Sequence, residues 1–254
     1  MTYSASEIAS LREGGKRLAE VLAAVAAACV PGASTADLNA LAERRIREKG
    51  DEPSFLGYTP SGAKRPFPAA LCLSINDEVV HGIPNEEPRI IAEGDIVGLD
   101  LGVTHDGLIT DHAVTVIAGN GDEAAKALLS ATKEALTAGI KAAKGGGHVG
   151  DISAAVEAVG VLRGYGIVYE LGGHGVGRHV HEEPYIPNVG DTGTGDALVP
   201  GMVVAIEPML TEGIPEVKLL KDGYTFVTKD GSRAAHFEHT ILITENEPEI
   251  LTKE

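Results

Sequence analysis

The chain has 254 residues, 43% of them apolar, and a formal charge of −16 from 21 basic against 37 acidic residues. That acidity argues against DNA or RNA as the main substrate, because phosphate binding runs on clustered Lys and Arg. No apolar run approaches the roughly 18 residues of a membrane span, the N-terminus lacks a signal-peptide layout, and the two cysteines, Cys29 and Cys72, cannot build a disulfide framework. The expected setting is the reducing cytoplasm, with no membrane partner.

In chain order, Ser4-x-x-Glu7 is a capping box that opens a helix running through Ala28 and stopped by Pro31-Gly32. Cys29 follows an alanine-rich stretch and reads as core. A second helix starts near Ser34 or Thr35 and ends before Gly50. Segments rich in Ile, Val and Leu predict strands at 71–75, 96–103 and 112–118, separated by turn material such as Asn76-Asp77 and His105-Asp106-Gly107. From Asp122 the cycle restarts: Ala125, Leu128, Leu129, Thr132, Leu136 and Ile140 recur at helical spacing, and Asp151 is expected to cap another helix. Strands return at 167–171, 202–206, 216–220, 224–228 and 236–243. Two helices and then strands, twice over, predict an α+β fold with helices on one face of a curved antiparallel sheet. No linker or composition break interrupts the chain near residue 120. The expected organisation is therefore one domain of two pseudo-symmetric halves, about 1–120 and 121–254.

Both halves carry the same sequence of metal-binding residue types. Gly94-Asp-Ile-Val-Gly-Leu-Asp100 answers Gly201-Met-Val-Val-Ala-Ile-Glu207, so a glycine-led apolar strand ends in a carboxylate each time. Asp111-His112-Ala113-Val114 answers Glu238-His239-Thr240-Ile241, and His81-Gly82-Ile83 answers His174-Gly175-Val176. A duplicated fold of this kind places one shared site at its pseudo-two-fold axis. Four carboxylates held together at neutral pH repel one another unless one protonates or a cation sits between them. Asp100, Asp111, Glu207 and Glu238 with one imidazole make a hard, oxygen-rich set suited to Mn(II), Fe(II), Co(II) or Zn(II). Two ions sharing such a site, about 3.5–4 Å apart, perform hydrolysis by acidifying a water.

The histidines divide by context. His174, flanked by glycines in Gly172-Gly173-His174-Gly175, is the expected ligand. His81 and His181 are expected to hydrogen-bond beside the metals. His112 and His239 follow carboxylates on strands, so a period of two turns them to the opposite face as structural residues. For His105, His148, His179 and His236 the sequence offers no argument. The basic stretch Arg44 to Lys49 reads as cations near a helix C-terminus, and Lys64-Arg65 as a solvated loop.

On these motifs, together with Cys72-Leu73-Ser74-Ile75-Asn76, Ala205-Ile206-Glu207-Pro208-Met209 and Phe237-Glu238-His239-Thr240, the chain resembles the bacterial type I methionine aminopeptidases over nearly its whole length. The resemblance implies the pita-bread (creatinase/aminopeptidase-like) fold and two divalent ions, with Asp111 and Glu238 bridging, Asp100 completing one shell, and His174 with Glu207 the other. It implies that Glu207 handles protons for the attacking water and that His81 and His181 contact the scissile amide. It further implies a methionine pocket walled by Tyr58, Phe67, Cys72, His81, Val180 and Tyr224. Tyr224 stands where such enzymes often carry Trp, and Val180 where they often carry an aromatic, which predicts a wider pocket. The Thr59–Pro66 loop is extra sequence at the pocket entrance. Substrates would be nascent polypeptide N-termini with a small second residue, met by a monomer that touches the ribosome through its basic stretches. Two rivals share part of this pattern: an Xaa-Pro aminopeptidase or proline dipeptidase, which usually carries an additional N-terminal domain, and a non-catalytic binding module, which would have lost its ligands.

Overall fold

The computed structural model describes residues 1–253. In chain order its elements are α1 (Ala5–Ala28), α2 (Thr35–Glu48), β1 (Glu52–Pro53), β2 (Leu71–Ile75), β3 (Glu78–Val80), β4 (Ile96–His105), β5 (Leu108–Ile117), α3 (Glu123–Ala142) and α4 (Val149–Arg163). They continue with β6 (Gly166–Ile167), β7 (Gly172–Gly175), β8 (Glu182–Pro187), β9 (Val203–Ile206), β10 (Met209–Thr211), β11 (Val217–Leu219), β12 (Phe226–Thr228), β13 (Ala234–His236), β14 (His239–Leu242) and β15 (Glu249–Ile250).

The helix starts follow their caps. Ser4 and Glu7 exchange side-chain and backbone hydrogen bonds in a full capping box, and Asp122 accepts from the Ala125 amide at 2.7 Å. Asp151 caps α4 from inside its first turn, as the acidic member of a capping box with His148 at the N-cap. Its carboxylate accepts the amides of His148 and Gly193, both at 2.8 Å, so it anchors a distant loop as well as the helix start.

The strands form four antiparallel ladders: β1-β4-β2 with β5 on β4, β13-β10-β6, β11-β12-β3, and β15-β14-β9-β7-β8. The expected strands at 202–206 and 236–243 differ from this in one informative way. The predicted 236–243 strand breaks at Phe237-Glu238, and a second ladder picks up beyond Glu207-Pro208 at Met209. Both breaks fall at a carboxylate that the sequence pattern singled out.

Two apolar clusters sit under the helices. One packs Leu18, Leu22 and Val25 of α1 and Leu38 and Ile46 of α2 on Leu71, Leu73, Leu99 and Leu101. The other packs Leu128, Leu136 and Ile140 of α3 and Ile152 and Val156 of α4 on Val204, Ile206, Leu210 and Ile241. Val114 of β5 touches both. Two threonines tie β5 to the chain around β13 and β14. The Thr240 hydroxyl donates to the Asp111 carbonyl at 2.7 Å and accepts the Asp111 amide at 2.8 Å. The Thr115 hydroxyl does the same for His236, at 2.6 and 2.9 Å.

Candidate metal centre

Register alone brings the first carboxylates together. Cys72 pairs with Asp100 across β2–β4, and Asp100 pairs with Ala113 and Gly102 with Asp111 across β4–β5. Opposed residues share a face and the side-chain period is two. Cys72, Asp100 and Asp111 therefore face one way and His112 the other. In the second half Ile206 opposes His239, so Glu207 and Glu238 lie just beyond the last pair of β9–β14 and continue it. His174 opposes Ala205 on β7–β9, which puts it on the face of Glu207.

Glycine makes the approach of β7 possible. A Cβ on Gly173 would stand 2.2 Å from the Ala205 carbonyl oxygen, a distance no side chain tolerates. His174 Nδ1 donates to its neighbour's carbonyl, Gly175 O, at 2.9 Å. A proton on Nδ1 leaves Nε2 as the atom that can ligate, 3.5 Å from Glu207 Oε1.

Asp111, His174 and Glu238 each offer one ligand atom, and these atoms lie within 4.8 Å of one another. All three residues are buried, as few carboxylates are without a partner. Among the described residues, Oδ1 of Asp100 and Oδ1 of Asp111 are buried with no hydrogen-bond partner. Burial lifts the Asp100 carboxyl to a pKa of about 7. Burial, then the charges of neighbouring carboxylates, hold Asp111 and Glu238 well above the usual carboxylate range. Burial pushes Glu207 up as well, but His236 and His174 outweigh it and its pKa is lowered. Orphaned buried oxygens on an oxygen-rich set are what a divalent cation would satisfy, so the residues present fit such an ion.

His236 is the residue that the sequence reading missed. It is buried, clasped by Thr115, and its Nε2 lies 3.3 Å from Glu207 Oε2. The signal existed: His236 sits two residues before Glu238, and the period of two that sends His239 away returns His236 to the site.

One cavity of about 70 Å³ is lined by Tyr58, Cys72, His81, Asp100, Asp111, His174, His181, Glu207, Tyr224 and Glu238, with Phe55, Pro60, Phe67 and Val180. All the residues singled out from the sequence for metal, catalysis or substrate are on that wall, and Phe55 and Pro60 are additions. Phe67 and Tyr224 meet edge to face at 5.1 Å, and the buried Cys72 has its thiol pKa driven well up by burial. Burial lowers both His81 and His181 to about 4, so both rings are neutral at physiological pH. His112 and His239 stack on each other, 4.4 Å between ring centres, and His112 Nδ1 donates to the Glu238 carbonyl.

Arg65 is no solvated loop cation. Its guanidinium grips Glu86 with both arms, one of them at 2.8 Å, and reaches the Asp222 carbonyl at 3.2 Å, while its own carbonyl accepts the Tyr224 hydroxyl. The Thr59–Pro66 loop is thereby tied to the pocket wall. The other basic stretch is also paired in part: Arg47 with Glu43 at 2.9 Å, Arg44 with Glu48 at 3.9 Å, and Lys49 with Glu20.

Residues 9–245 match the model of metallopeptidase family M24. A methionine aminopeptidase of Aquifex aeolicus is 49% identical over 253 residues, covering 99% of this chain and 98% of that one. Methionine aminopeptidase 1 of Mycobacterium tuberculosis is 44% identical, covering 98% and 93%. Among solved structures, a methionine aminopeptidase from Thermotoga maritima superposes with a TM-score of 0.95 at 44% identity, covering 100% of this chain and 99% of that one. A prolidase from Pyrococcus horikoshii shares the fold at 24% identity and a TM-score of 0.74, with 63% of its length covered.

Proposed function

This chain belongs to metallopeptidase family M24, and we propose that its centre removes the N-terminal methionine from nascent proteins and peptides with a small second residue. The observation that carries this reading is the single cavity in which buried, partnerless carboxylate oxygens adjoin an apolar recess. Full-length identity to methionine aminopeptidases supports it over the Xaa-Pro peptidase alternative, whose prolidase representative extends well beyond the matched fold. A ligand set retained at all five positions speaks against a non-catalytic module.

Asp100, Asp111, His174, Glu207 and Glu238 would together hold two divalent ions. Bound there, the ions supply Lewis acidity that polarises the peptide carbonyl and acidifies water. Glu207 accepts the attacking water's proton on its carboxylate and returns it to the leaving amine nitrogen. Neutral His81 and His181 donate hydrogen bonds to the scissile amide as negative charge grows on its oxygen. Phe67, Cys72, Val180 and Tyr224 enclose the methionine side chain in soft apolar contact and exclude water from the reacting bond.

On this reading the enzyme is a cytoplasmic monomer. No helix among the described residues is long and apolar enough to cross a membrane. Contact with the ribosome would fall to Arg45 and Lys64, which have no ion-pair partner among the described residues. Co-sedimentation with ribosomes that weakens as salt rises is the expected result, and salt-insensitive binding removes this part of the proposal.

The test of the activity is cleavage of short peptides beginning Met-Ala, Met-Lys and Ala-Pro, with Mn(II), Co(II), Fe(II) or Zn(II). Release of methionine from Met-Ala alone is expected. Cleavage of Ala-Pro with Met-Ala untouched would replace the reading with the Xaa-Pro one.

A further inference from the structure

His181 has one defined hydrogen bond in the structure, and its partner is a pocket wall. The Tyr58 hydroxyl lies 2.9 Å from His181 Nδ1. The two rings are 5.5 Å apart and tilted by 55°, a geometry for a hydrogen bond through the ring edge and not for stacking. No other partner of the Tyr58 hydroxyl is recorded among the described residues.

The direction of this bond decides what His181 can do. If the phenol donates, Nδ1 is the bare nitrogen and Nε2 carries the proton, so the opposite edge of the ring offers a donor. If Nδ1 donates, the phenol proton is left without a protein acceptor and Nε2 offers a lone pair where negative charge develops. Only the first arrangement uses the phenol proton, and only the first suits a group that must stabilise a tetrahedral oxyanion. The same edge logic operates in mirror image at His174, where donation from Nδ1 to the Gly175 carbonyl leaves Nε2 bare for a cation. His174 and His181 meet edge to face at 4.4 Å. With the phenol as donor, the two touching imidazoles hold opposite tautomers, Nδ1–H at His174 and Nε2–H at His181.

We infer that Tyr58 is a positioning residue that locks His181 as its Nε2–H tautomer, in addition to walling the pocket. The backbone holds Tyr58 for this task. Its amide donates to the Phe55 carbonyl at 3.0 Å and its carbonyl accepts the Phe67 amide at 2.8 Å. Arg65, two residues before Phe67, is fastened to Glu86 and Asp222. The Thr59–Pro66 loop that precedes Phe67 is in this way part of the device that aims a ring at the scissile amide. This inference rests on the assignment of His181 as an amide donor.

The experiment is Tyr58→Phe in the zinc-loaded enzyme, read by 15N NMR of labelled histidine side chains and by kinetics on a peptide beginning Met-Ala. His181→Gln identifies the His181 resonances. Wild type is expected to show a protonated Nε2 and a bare Nδ1 at His181. Tyr58→Phe is expected to show a mixture of tautomers, with kcat lowered ~5-fold, the worth of one hydrogen bond, and with KM and zinc content unchanged. A protonated Nδ1 in wild type, or an unaltered tautomer in Tyr58→Phe, overturns the lock. A tautomer that shifts while kcat stays at the wild-type value leaves the lock standing and overturns the donor role of His181.

Discussion

At Glu207 two imidazoles from different elements converge, His174 at 3.5 Å and His236 at 3.3 Å, and they outweigh the burial that would otherwise keep the carboxyl protonated. His236→Ala removes one of them while leaving the five proposed ligands in place. Activity is expected to fall roughly tenfold, as for other residues that support a metal ligand. The acid limb of the pH–rate profile is expected to move to higher pH, because Glu207 loses a group that lowers its pKa. An unmoved profile would mean that His236 only fills space. His181→Ala is expected to lower kcat by about 10²–10³, the cost of losing an oxyanion donor, with metal content retained; loss of metal would reassign His181 as a ligand. These residues differ in how far the sequence revealed them. Asp100 and Glu207 are legible because a carboxylate at the end of an apolar strand is expensive without a partner. The part played by His236 depends on a contact 29 residues away along the chain, and only the folded ladders bring the two together.

At the scale of elements, the helices follow their caps and apolar spacing closely, α1 and α2 ending where Pro31-Gly32 and Gly50 require. The strands were legible as regions and not as units, since period-two patterning cannot say where a ladder stops. Phe237-Glu238 interrupts what reads as one strand because the Glu238 amide is taken by the Ala113 carbonyl of β5 at 2.9 Å. The short strands β1, β3, β7, β10 and β15 escaped notice, as did the longer β8, for the charge and proline that its sequence carries. The threonine clasps escaped too, and they carry a prediction. Thr240→Val keeps the shape but strands the Asp111 amide in a buried site, so unfolding free energy should drop by about 2 kcal/mol in denaturant titration. No measurable drop would show that the clasp contributes nothing to stability. Gly173→Ala should do greater harm, since its Cβ would meet the Ala205 carbonyl at 2.2 Å.

For the whole molecule, the repeated motif predicts one shared acidic site, and Asp100, Asp111, His174, Glu207 and Glu238 line one cavity. What no sequence could supply is the state of that site without metal. Asp100 then titrates at about 7, and burial beside other carboxylates holds Asp111 and Glu238 well above the usual range, so the buried site favours the protons on these three groups. Because its folded pKa is raised, Asp100 stabilises the metal-free protein most below its ordinary range and ceases to do so as pH climbs through about 7. A cation must displace those protons. The gain in melting temperature on adding divalent metal is therefore expected to grow as pH rises from about 5 to about 8, in thermal scans at fixed metal concentration. A gain that shrinks over that interval would contradict the charge state assigned to the site.

In the proposed centre Asp100, Asp111, His174, Glu207 and Glu238 together hold divalent metal for peptide hydrolysis. Anomalous diffraction from crystals grown with Mn(II) tests it most directly. Two anomalous peaks are expected in this cavity, both touching Asp111 and Glu238, and neither present in Asp111→Asn crystals of otherwise unchanged fold. Metal bound elsewhere, or retained in full by Asp111→Asn with wild-type cleavage of Met-Ala peptides, would contradict it.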